Sequence, residues 1–170
     1  GNELTTLKVL DLAEAYFIAS AEKGYLAAQE RLCLEYYSGS NFCKNFQKSV
    51  YWGDKALEQG SKIVRFRIAW MYCGEGDIAP NYEKSFKLYE TLAQEGDTSA
   101  MNNLGWMYEY GHYHSVDFNK AYECYHKAAE KGDAYAMCNV GYCYRSGIGV
   151  EKDQVKAFEW FSKSASKGDI

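Results

Sequence analysis

An all-α repeat solenoid is the expected fold of this chain, on three grounds. Gly24, Gly60, Gly96, Gly132 and Gly168 stand 36 residues apart, and a fixed period of that size marks stacked structural units. Between them, apolar and tyrosine positions recur at helical spacing. Pro80 is the only proline, so helices run uninterrupted. Such a unit cannot bury its own apolar face. It leans on its neighbour, and the array leaves a long groove.

Positions below are counted from the preceding periodic glycine. Ahead of the first complete unit, Ala13, Tyr16, Phe17 and Ala21 match second-helix positions, which predicts a lone second helix over about 5–23. Four complete units follow, each helix, loop, helix and tight turn. The first helix carries Ala28, Val64, Ala100 and Ala136 at +4, and Leu32, Ile68, Leu104 and Val140 at +8. Cys33, Ala69, Gly105 and Gly141 fall at +9, and Tyr36, Tyr72, Tyr108 and Tyr144 at +12. A glycine inside a helix costs about 1 kcal/mol against alanine, so Gly105 and Gly141 imply close approach of a neighbouring helix.

Nine residues after each tyrosine stands Asn45, Asn81, Asp117 or Asp153, residue types that cap helix N-termini. The second helix then carries Lys48, Lys84, Lys120 and Lys156, and later Trp52, Leu88, Cys124 and Trp160 with Gly53, Tyr89, Tyr125 and Phe161 beside them. The periodic glycine ends it, where a left-handed residue is favoured. The expected organisation is a truncated repeat over 1–24, repeats at 25–60, 61–96 and 97–132, and a last repeat plus the start of another over 133–170, all one domain. Gly1 reads as a cloning scar, and both ends read as cut from a longer array.

The chain has 170 residues, 47% hydrophobic and 25% charged, with net charge −4. A pI near 5.4 argues against a nucleic-acid footprint, and no apolar run is long enough to cross a bilayer. Cys33, Cys43, Cys73, Cys124, Cys138 and Cys143 recur at no common position. They are expected to be reduced and mostly buried, in a cytoplasmic protein. An oxidised set in a secreted or periplasmic protein stays open.

The fourth unit reads Ala136, Val140-Gly141, Tyr144, Gly147, Gly149-Val150, Asp153, Lys156-Ala157, Trp160-Phe161 and Ala165. It resembles the Sel-one-like repeat, a member of the tetratricopeptide-type superhelices. The third unit matches through Leu104-Gly105, Tyr108, Asp117, Lys120-Ala121 and Ala128-Ala129, and the resemblance covers essentially the whole chain. It departs in the loops, most of all at Gly111-His112-Tyr113-His114-Ser115-Val116. It also lacks the regular disulfide of some secreted members. The resemblance implies a right-handed α/α superhelical solenoid that works as a protein-interaction scaffold.

If the first helices line the concave face, as in the tetratricopeptide relatives, the candidate partner-binding residues are Leu34, Tyr37, Phe66, Trp70, Asn102, Trp106, Tyr110, Tyr135, Tyr142 and Arg145. Aromatic rings with polar tips are favoured anchors. An aromatic stripe at helical spacing is also ordinary interior packing, and both readings stay open for Trp70 and Trp106. Asn102 suits a peptide backbone, and Arg145 suits a carboxylate.

No catalytic residue, cofactor or metal is expected. His112 and His114, with Glu109 and Asp117 nearby, do not define a metal site. Cys138 and Cys143 diverge by about 140° around a helix. His126 has no obvious cysteine or serine partner for nucleophilic chemistry. The recurrent lysines read as structural, their stems covering apolar surface and their ammonium groups reaching solvent or a carboxylate. The leading expectation is a non-enzymatic module that binds a protein or peptide, without nucleic acid or membrane insertion. The alternative is a structural or regulatory segment of a larger protein that self-associates through its open ends as a homodimer.

Overall fold

A computed structural model describes residues 2–167, with side chains from residue 8 onward. Gly1, Gly168 and the expected start of a further unit lie outside the described residues. Among the described residues there are nine α-helices and no strand. The chain divides into two compact units, Gly1–Asn81 and Tyr82–Ile170.

The first unit holds α1 (Asn2–Glu22), α2 (Leu26–Ser38), α3 (Phe46–Glu58) and α4 (Arg65–Met71). The second holds α5 (Tyr82–Gln94), α6 (Thr98–Tyr110), α7 (Phe118–Glu130), α8 (Ala134–Ser146) and α9 (Gln154–Ser166). Within each unit every helix packs on the next, and in the second α6 also reaches α8. The lone leading helix is present as α1. The periodic glycines take the left-handed backbone expected of them: Gly24, Gly60, Gly96 and Gly132 have φ of 86°, 83°, 101° and 97°.

The nine-residue spacing from tyrosine to cap is closed by one recurring hydrogen bond. The amides of Asn45, Asn81, Asp117 and Asp153 donate to the carbonyls of Tyr36, Tyr72, Tyr108 and Tyr144 at 2.8–2.9 Å. Loops of unlike sequence therefore share one closure. Asn45, Asp117 and Asp153 also cap through their side chains. A second set of caps escaped the sequence reading. Asp97 and Asp133, just after the periodic glycines, accept from the amides of Ala100 and Ala136.

Glycine at +9 answers an aromatic ring at +29 on the second helix of the same repeat. A Cβ on Gly105 would lie 2.6 Å from the ring of Tyr125, and one on Gly141 2.8 Å from that of Phe161. The first repeat inverts the arrangement. Gly53 stands at +29, and its missing Cβ would meet Ile68 Cδ1 at 2.1 Å and the sulfur of Cys33 at 3.0 Å.

The recurrent lysines have a structural role, as expected. Lys48, Lys120 and Lys156 place their ammonium groups 4.8, 5.3 and 5.3 Å from the ring centres of Tyr36, Tyr108 and Tyr144. Lys120 and Lys156 pair as well with Asp117 and Asp153 at 3.6 and 3.5 Å. A ring face and a carboxylate offset the unfavourable end of the helix dipole.

Two expectations need correction. The first helix of the second repeat was expected to carry Val64 and Tyr72, but α4 has 7 residues where the corresponding α2, α6 and α8 have 13, and Val64 and Tyr72 only flank it. Ser61, in the place of the capping Asp97 and Asp133, gives its hydroxyl to Glu30 at 2.5 Å. The next turn contains β-branched Ile63 and Val64, poor helix formers. Nor are the cysteines mostly buried. Cys33 and Cys143 are buried, Cys73, Cys124 and Cys138 half-buried, and Cys43 exposed.

Candidate functional site

Each unit carries its own cluster of the candidate residues. In the first, Leu34 and Tyr37 lie on α2 and Phe66 and Trp70 on α4. Leu34, Tyr37 and Phe66 are half-buried, and Trp70 is 41% exposed. Arg67 sets its guanidinium 4.1 Å from the centre of the Tyr37 ring, and Phe46 meets the same ring edge-on at 5.6 Å. Lys44 lies 4.6 Å from the Phe46 ring. The sequence reading left out Arg67 and Lys44; basic residues close in sequence to Phe46 and Phe66 were the available signal.

In the second unit, Asn102, Trp106 and Tyr110 lie on α6 and Tyr135, Tyr142 and Arg145 on α8. Tyr110, Tyr135 and Tyr142 are 60%, 65% and 49% exposed. Arg145 is exposed and stacks over Tyr142 at 4.1 Å. Asn139 donates its side-chain amide to Asn102 Oδ1 at 2.8 Å, tying α8 to α6. Trp106 is half-buried and packs on the core formed by Tyr125, Ala128, Ala129, Met137 and Val140. Interior packing thus accounts for part of Trp106, whereas Trp70 presents much of its surface to water.

One contact was missed from the sequence altogether. The ring of His112, in the loop between α6 and α7, lies 4.4 Å from Trp106 and is stacked on Tyr82 of α5 at 4.2 Å. Burial holds this imidazole below the usual histidine pKa. The departure of this loop from the repeat pattern was the available signal.

Among the described residues, no three His, Cys, Asp or Glu side chains come together as metal ligands. Burial pushes the thiols of Cys33 and Cys124 up to about 11 and that of Cys143 to about 12. These groups stay protonated near neutrality and are poor nucleophiles. No described helix is long and apolar enough to cross a membrane.

Helices paired through a recurring loop and stacked in sequence define a helical-repeat solenoid protein. The Sel1 repeat family model matches residues 26–61, 65–97, 98–133 and 134–169, and the chain belongs to that family. A Sel1 repeat protein from Oxalobacter formigenes is similar, at 30% identity and TM-score 0.79, over 94% of this chain and 65% of that one. Protein c5321, a protective antigen of uropathogenic Escherichia coli with an SLR fold, is 31% identical with TM-score 0.79, over 94% of this chain and 34% of its own. Helicobacter pylori cysteine rich protein B is 25% identical with TM-score 0.56, over 74% of this chain and 90% of that one. The chain thus spans less than two thirds of the first two relatives. Comparison with curated proteins gives no match. Sel1 repeat proteins are generally protein–protein interaction scaffolds.

Proposed function

We propose that this chain is a non-enzymatic interaction module whose first-helix aromatics, on the face expected to be concave, take a peptide or helix of a protein partner. The carrying observation is selective exposure. Trp70, Tyr110, Tyr135 and Tyr142 stay 41–65% exposed on helices whose +8 residues Ile68, Leu104 and Val140 are 0–7% exposed. Amphipathic rings left in water beside a packed core are the residue type that dominates protein interfaces. Leu34, Tyr37 and Phe66 extend the surface in the first unit, and Trp106 does so in the second. Asn102, its oxygen already engaged, offers N–H groups to a peptide carbonyl. Arg145 offers a flat cation to a carboxylate. Repeat boundaries at 25–60, 61–96, 97–132 and 133–170, and residence in the cytoplasm, belong to the same reading; six free thiols support the latter. A net charge of −4 speaks for protein rather than nucleic acid as partner.

The test is affinity capture with mass spectrometry, comparing the chain with its Trp70→Ala/Trp106→Ala variant. The variant is expected to keep its helical circular dichroism and lose captured proteins. Equal capture by a folded variant overturns the reading.

A second reading, self-association through the ends, is favoured by one observation. Tyr122 on α7 is covered by Tyr144 of α8, their hydroxyls 3.0 Å apart. The corresponding residue of α9, Phe158, is 73% exposed beside Val155 at 69%. On α1, Val9, Leu12 and Tyr16 form another exposed stripe at 58–72%.

A further inference from the structure

We propose that the loop between α6 and α7 is an autoinhibitory latch, in which neutral His112 covers Trp106 and protonation of His112 releases it. This deepens the interaction reading, because it rests on Trp106 as a partner anchor and names what controls its availability.

Three observations carry the latch. The first is the seat of the imidazole. It lies between Tyr82 of α5, stacked at 4.2 Å and 19°, and Trp106 of α6 at 4.4 Å, with Tyr110 of α6 at 6.2 Å. The loop's own side chain therefore occupies ring surface that a partner would use. In the other unit, Trp70 holds the same +10 position and is 41% exposed, whereas Trp106 is half-buried.

The second is the loop backbone. Position +17 is Gly149 in the last repeat, with φ 68°, where a Cβ would lie 2.1 Å from the carbonyl oxygen of Phe118. In the third repeat the same position is Tyr113, and it keeps φ 75° despite its side chain. A bulky residue in the left-handed region is strained. Ring contacts hold it there: Tyr113 packs on Phe86 at 5.5 Å and on His114 at 4.4 Å. His114 in turn meets Phe86 at 4.8 Å and stacks on Tyr108 at 6.1 Å. His112 directly precedes this strained residue in the chain, so release of the imidazole gives the backbone at Tyr113 room to relieve it.

The third is the charge environment. From α5 the imidazole faces the Tyr82 phenol, and from α6 the Tyr110 phenol and the Trp106 indole. Burial is the influence on its ionisation, with no charged side chain contributing. A half-buried imidazole without a carboxylate partner favours the neutral form.

The sign follows. The closed-state pKa lies below the ordinary value of 6.5, so closure is fully favoured above that value. The advantage is lost as pH falls through 6.5 towards the lowered pKa. The open-to-closed ratio rises about tenfold for each pH unit between the open- and closed-state values.

The test uses the whole chain labelled with 5-fluorotryptophan. The Trp106 fluorine resonance is assigned by its disappearance in Trp106→Phe, and its shift between H2O and D2O reports exposure. Acidification from neutral pH is expected to enlarge that isotope shift along the His112 titration curve, read from the imidazole carbon-bound proton. His112→Ala is expected to show the enlarged shift already at neutral pH and no titration, while His114→Ala keeps the response. A Trp106 resonance indifferent to acid in the unmodified chain overturns the latch, as does an unchanged response in a folded His112→Ala. No partner enters this measurement. A failed latch leaves the capture result standing, and normal capture by the double tryptophan variant removes the anchor, and with it the inhibitory role, while the acid-driven exposure of Trp106 still stands or falls on the fluorine measurement.

Discussion

Side-chain volume at +9 and +29 is exchanged from repeat to repeat, and that exchange sets how closely the paired helices approach. Cys33 faces Gly53, Gly105 faces Tyr125 and Gly141 faces Phe161. Reading +9 as a small-residue position was sound, because a helical glycine must repay its cost through packing. The identity of what it packs against needed the fold, since the partner lies 20 positions further along the repeat. Gly105→Ala gains helix propensity but drives a methyl to 2.6 Å from the Tyr125 ring. Net destabilisation of about 1–2 kcal/mol is expected from urea unfolding. In a Tyr125→Leu background the same alanine is expected to be neutral or stabilising. Equal costs in both backgrounds would place the glycine's role elsewhere.

Each helix is bounded by chemistry that local sequence largely discloses. Caps at Asn45, Asp117 and Asp153 were expected from the nine-residue spacing, and that spacing is explained by the amide of the cap donating to the tyrosine carbonyl. The caps at Asp97 and Asp133 were equally legible, because each aspartate directly follows a left-handed glycine. Where that aspartate becomes Ser61, whose hydroxyl goes to Glu30, the helix begins three residues later in the repeat. Asp133→Ala is expected to cost about 1 kcal/mol and to fray the first turn of α8, with amide exchange rising at Tyr135 and Ala136. Unchanged exchange there would mean that burial of Ala136 and Met137 holds the turn without its cap.

For the whole molecule, the question is what meets the exposed faces of α1 and α9. If Phe158 and Val155 dock against a second copy, light scattering will show mass rising with concentration, and Phe158→Glu will abolish the rise while leaving the helices intact. A concentration-independent monomer before and after the substitution would retire self-association and leave the aromatic surfaces as the working face. The period of 36 residues, the helix–loop–helix order and the recurring tyrosines were determined by the sequence on its own, because they rest on spacing and capping rules that act within one unit. Tertiary structure decided which +10 tryptophan is exposed, which ring each glycine receives and that His112 lies on Trp106. Those outcomes depend on atoms brought together from separate helices and a loop, where contact, exposure and desolvation are created by packing and leave no periodic mark in the chain.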